Sequence, residues 1–117
     1  MRFTVSKDLY DLMVQKKKTN IVVDVAESNA SDIEVAEIFY RLCDDKHAEY
    51  LVHKKDFIEK PLFLDSGEGA HAIHKENHPL KAKILLKKYR FEMDDNVHFY
   101  RKKVLFMHTI AADGIVL

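Results

Sequence analysis

Histidine is the residue type this chain overuses. Seven occur in 117 residues, and three fall in the short run His71-Ala72-Ile73-His74-Lys75-Glu76-Asn77-His78. Neutral imidazole is a common ligand of transition metals, so Zn2+ or another divalent transition metal is the chemistry this cluster suggests. On a helix, His71, His74 and His78 would lie within about 60° of one another. A straight helix would still separate His71 from His78 by roughly 10 Å, too far for one ion to collect all three. His74 and His78 are therefore the better pair, although Pro79 works against helical geometry at His78. Cys43 and His47, also four residues apart, are the candidates for further ligands. The spacing lacks the paired elements of a zinc finger and the glutamate of a metalloprotease helix.

Other catalytic chemistry finds less support. Cys43 is the only cysteine, so no internal disulfide exists. A nucleophilic thiol needs a lowered pKa, yet Asp44 and Asp45 follow it and it closes an apolar stripe, as a buried structural cysteine does. Asp24, Asp32, Glu34 and Glu37 offer carboxylates, but nothing separates an acid from a base among them. Ser66-Gly67-Glu68-Gly69 is too short and too acidic to cradle phosphate, and no nucleotide-binding or nucleophile-elbow pattern occurs. The expectation is a non-enzymatic binding protein using the histidine-rich segment.

An alternative rests on charge. The net charge is zero, which argues against a generic polyanion binder. Residues 1–70 nevertheless carry 10 basic and 14 acidic side chains, whereas residues 71–117 carry 9 and 5. Lys81, Lys83, Lys87, Lys88, Arg90, Arg101, Lys102 and Lys103 form the basic set, with Tyr89, Phe91, Phe99 and Tyr100 interleaved. Basic strands bearing aromatics hold single-stranded nucleic acids by phosphate attraction and stacking. Val104 to Met107 and Ile115 to Leu117 add apolar strand surface, so a homodimer formed by strand pairing is a further expectation.

These residues need elements to position them. Ser6 reads as the N-cap of a helix over about 7–17, with Leu9, Leu12 and Met13 as its apolar stripe and Lys16 to Lys18 at its end. Ile21, Val23 and Val25 alternate as a strand. Ser31-Asp32-Ile33-Glu34 has capping-box spacing, and Val35, Ile38, Phe39 and Leu42 favour a helix to about Cys43, with a strand as the alternative. Ala48, Leu51 and Val52 extend that helical pattern. Leu62 to Leu64 suits a short strand. Residues 65–79 form an irregular, histidine-rich connection of a length often functional. The run 80–93 reads as strand or helix, followed by a hairpin turn at Asp94-Asp95-Asn96 and a second turn at Asp113-Gly114.

The expected fold is a small α+β domain over residues 1–117. It has a mostly antiparallel sheet, an N-terminal helix, one or two further helices and a C-terminal β-hairpin. With 47% hydrophobic and 32% charged residues, disorder is disfavoured. No apolar run approaches the 20 or so residues of a membrane span, and no signal-peptide core is visible. A cytoplasmic location without a membrane partner is the corresponding expectation.

Overall fold

Two apolar triplets, Ile21-Val22-Val23 and Ile84-Leu85-Leu86, are completely buried, and they mark strands covered on both faces. The computed structural model describes residues 1–30, 33–65, 70–72 and 82–117. In chain order the elements are β1 (Arg2–Ser6), α1 (Lys7–Lys16), β2 (Asn20–Ala30), β3 (Ile33–Cys43), α2 (Asp45–His53), β4 (Phe57–Pro61), β5 (Phe63–Asp65), β6 (Ala70–Ala72), β7 (Lys83–Lys87), β8 (Glu92–Val104) and β9 (Met107–Val116). One sheet has the order β6-β5-β1-β8-β9 and the other β3-β2-β7-β4.

The fold is α+β, as expected, but both sheets are mixed. β1 pairs in parallel with β5 and β8, and β2 with β7. Helix α1 carries the chain from β1 in one sheet to β2 in the other, which brings non-sequential strands side by side in each.

The main core lies between the sheets. Phe3, Val5, Val97 and Phe99 from one face Ile21, Val23, Ile84 and Leu86 from the other, and Leu9, Tyr10 and Met13 of α1 complete it. On the far side of the second sheet, Val22 and Leu85 pack with Cys43, Ala48, Leu51 and Phe57 beneath α2.

The N-terminal helix follows its local signals. Ser6 Oγ accepts a hydrogen bond from the Leu9 N–H at 3.2 Å. Lys17 takes the left-handed conformation with φ 57°, and the Lys17 and Lys18 N–H groups return to the Val14 and Met13 carbonyls at 3.1 and 3.0 Å. That double closure satisfies the last carbonyls of the helix and turns Lys18 aside from its axis.

The structure departs from the local sequence signals at four places. The segment Ile33–Cys43 is a strand, not a helix, and pairs with β2 from Asn20↔Cys43 to Ala30↔Ile33. Ile38, Tyr40 and Leu42 alternate onto the main core, and tertiary pairing outweighs the helical spacing. Ser31 and Asp32 of the expected capping box lie outside the described residues. The later helical residues belong to a separate helix, α2, whose N-cap is Asp44: its carboxylate accepts from the His47 N–H at 2.8 Å. Buried Asn20 ties this corner, donating through Nδ2 to the Cys43 carbonyl at 3.3 Å and to Asp45 Oδ1 at 2.9 Å.

The C-terminal hairpin exists with a different turn. Its strands are β8 and β9, joined at Leu105-Phe106 with Val104 opposite Met107. Asp94, Asp95 and Asn96 lie inside β8, where pairing jumps from Met93↔Ile115 to His98↔Asp113. Their turn chemistry forms a bulge rather than a hairpin. Asp113-Gly114 runs straight through β9 opposite it. Residues 83–87 of the ambiguous 80–93 run are strand β7.

Candidate functional site

The histidine cluster is reached only in part. His71 sits in β6, where its backbone pairs with Leu64, while His74 and His78 lie outside the described residues. Among the described residues no group of three or more His, Cys, Asp or Glu side chains is placed to hold a metal.

Cys43 and His47 do not share a helix as their spacing suggested. Cys43 ends β3 and is buried in the α2 core, whereas the His47 ring stacks against Tyr50 at 6.0 Å. Burial pushes the Cys43 thiol up from 9.0 to about 11; Arg41 and, less, Lys18 oppose this, and Asp44 and Asp45 reinforce it. The thiol is thus protonated and inert at neutral pH. Native protein is expected to resist iodoacetamide at pH 8 and to label rapidly in denaturant. Equal labelling rates in the two states would contradict this.

The basic set does not form one surface. Lys83 and Lys87 are on β7 of the second sheet, and Arg101, Lys102 and Lys103 on β8 of the first. Lys81 lies outside the described residues. Lys83 pairs with Glu59 at 2.8 Å, Lys87 with Asp24 at 3.5 Å, Arg90 with Glu27, and Arg101 with Asp8 at 3.7 Å. The interleaved aromatics also part company. Phe99 is fully buried, Phe91 packs on the core, and Tyr89 is 99% exposed in the β7–β8 turn at φ 62°.

A different arrangement emerges where α1, β3 and β9 meet. A depression of about 280 Å³ is lined by Leu12, Lys16, Lys18, Tyr40, Leu42, His108, Thr109 and Ile110. Its apolar part comes from Leu12, Leu42 and Ile110. Two ammonium groups, an imidazole, a phenol and a hydroxyl provide the polar part, and no carboxylate lines it. Burial, with Tyr100 as the lesser cause, raises the Tyr40 pKa above its usual 10.0, so its O–H remains a donor. The Tyr40 ring is held edge-on by Phe99 at 6.0 Å and 82°. Lys16 and Lys18 have no ion-pair partner among the described residues, unlike the lysines of β7.

Beyond this depression the β8–β9 hairpin continues as an arm. Residues 102–109 are all exposed, and its tip presents Leu105, Phe106 and Met107 at 85, 97 and 74% exposure.

In the sequence, Lys16 and Lys18 mark only the end of a helix, and nothing local distinguishes Tyr40, His108 or Thr109. These residues come together from three distant stretches of chain, so no local spacing could have joined them. The apolar tetrapeptide after Lys102-Lys103 was the one visible signal of the arm. Comparison with protein-family profiles, with curated proteins and with solved structures finds no match for this chain.

Proposed function

We propose that this chain is a binding protein for a small organic anion with an apolar portion, held in the α1–β3–β9 depression. The observation that carries this reading is the composition of the lining: two lysines without an ion-pair partner among the described residues, three hydrogen-bonding groups and three apolar side chains, with no carboxylate. The two ammonium groups favour a negative ligand group, and the Tyr40 and Thr109 hydroxyls can donate to it. Leu12, Leu42 and Ile110 favour a hydrocarbon portion over a free inorganic ion. At about 280 Å³ the space suits a ligand smaller than most drug-sized molecules. The class of function, a non-enzymatic binder, is the one the sequence suggested; the site differs.

Hexyl phosphate is a suitable probe, because it combines a dianionic head with a short apolar tail. Saturable shifts of the amide resonances of residues 108–110 and of the α1 C-terminus are expected. A Lys16→Glu, Lys18→Glu double variant is expected to weaken binding at least about tenfold, equivalent to about 1.4 kcal/mol. Both side chains are exposed, so its circular dichroism should match the parent. Unsaturable shifts, or equal affinity in the double variant, would reject the reading.

A further inference from the structure

We infer that the β8–β9 arm docks this protein onto the surface of an anionic lipid bilayer. This does not depend on the ligand proposed above, since it rests on the arm's tip and its surrounding charge.

The tip is the most exposed apolar feature among the described residues. Val104, Leu105, Phe106 and Met107 are consecutive, and Phe106 is 97% exposed. Leu105 occupies a left-handed position, φ 54°, that permits a two-residue connection. Every residue of the ribbon from 102 to 109 is exposed, and among the described residues only the edge of the depression touches its base, at His108 and Thr109. Four solvated apolar side chains in a row on a protruding hairpin call for a partner able to take them out of water.

Charge selects that partner. Lys102 and Lys103 stand directly behind the tip, opposite Thr109 and His108. His108 and Thr109 in turn border the depression shared with Lys16 and Lys18. The four lysines have no ion-pair partner among the described residues, whereas the α1 acids Asp8 and Asp11 are engaged by Arg101 and Lys7. The result is an apolar point with a cationic collar.

Dimensions agree with this use. The turn residues Leu105 and Phe106 lie two strand steps beyond the Lys103–His108 pair and three beyond Lys102–Thr109, about 7 and 10 Å at the rise of a strand. An interfacial element typically sinks about 5–10 Å into the headgroup and acyl boundary. Leu105 and Phe106 would reach the first acyl carbons while Lys102 and Lys103 meet phosphate. The turn's own peptide groups would stay within the hydrated headgroup layer. No helix among the described residues is long and apolar enough to cross a membrane, and the arm would not cross either.

A second copy of the chain fits less well. A two-fold interface through the tips would set each cationic collar near its twin, and like charges oppose that approach. Nucleic acid would engage the collar but leave Leu105 and Met107 in water.

Co-sedimentation of the full chain with vesicles provides the test. Binding is expected to phosphatidylcholine vesicles containing phosphatidylglycerol and not to phosphatidylcholine alone. Lys102→Glu with Lys103→Glu, and separately Leu105→Ser with Phe106→Ser, are each expected to weaken it at least about tenfold. High salt should reduce it as well. A Phe106→Trp variant should shift its emission to the blue on the anionic vesicles. These positions are exposed, so unchanged circular dichroism confirms that the variants fold. Absence of binding to the anionic vesicles, or binding indifferent to the tip substitutions, overturns the inference. A dimer in the ultracentrifuge that Leu105→Ser with Phe106→Ser abolishes, without vesicle binding, would also overturn it in favour of a second copy.

Discussion

Gly114→Val is expected to destabilise the protein by roughly 2–5 kcal/mol, from left-handed backbone strain and overpacking together. Gly114 has φ +90°, and a Cβ there would lie 2.4 Å from the Asn96 carbonyl oxygen. That oxygen belongs to the backbone of the β8 bulge, so no side-chain rotation can relieve the clash. Gly114→Ala should cost less than valine but clearly more than a surface change, because it creates the same contact without the β-branch. The bulge matters beyond its own bonds. Asn96 and Val97 are where β8 begins to pair with β1, through Arg2↔Asn96 and Phe3↔Val97. Displacing them disturbs the register that sends Val97 and Phe99 into the core. Urea denaturation with an unchanged slope gives the number directly. A Gly114→Val protein within about 0.5 kcal/mol of the parent would refute the role assigned to this glycine.

Phe99→Ala is expected to cost about 3–5 kcal/mol, the range for truncating a fully buried aromatic. Phe99 is fully buried in the core between the sheets. A typical domain of this kind holds about 5–15 kcal/mol in total, so this one change consumes a large share. The comparison residue is Phe39 on β3, which is 39% exposed; Phe39→Ala should cost less than half as much. Phe99 also holds the Tyr40 ring edge-on, and Tyr40 lines the proposed ligand site. The Phe99 variant should therefore bind hexyl phosphate more weakly even under conditions where it remains folded. Similar losses from Phe99→Ala and Phe39→Ala would show that the two sheets do not enclose the core as described.

Some of this architecture is legible one residue at a time. α1 is readable because everything that makes it is near in sequence: the Ser6 cap, the Leu9-Leu12-Met13 stripe and lysines suited to the negative end of its dipole. β2 is readable because its alternation is local. The fate of 33–43 is not, since the same residues satisfy both a helical stripe and a strand alternation. Eleven residue pairs with β2 decide for the strand. Asp94-Asp95-Asn96 misleads for a related reason. Turn-forming residues also suit bulges, and pairing with β9 on both sides of the segment decides for the bulge.

The candidate surfaces divide in the same way. Apolar content, balanced charge and local periodicity are enough to specify an α+β chain with a capped first helix and a lysine-flanked apolar tetrapeptide near its end. Tertiary structure alone decides that this tetrapeptide is the exposed tip of a hairpin, because exposure depends on how distant segments pack. It alone brings Lys16, Tyr40 and His108 around one depression, since cavities form where distant segments meet. The zero net charge likewise conceals two outcomes. The β7 lysines pair with Glu59 and Asp24 on the neighbouring strands, while those around the arm have no ion-pair partner among the described residues.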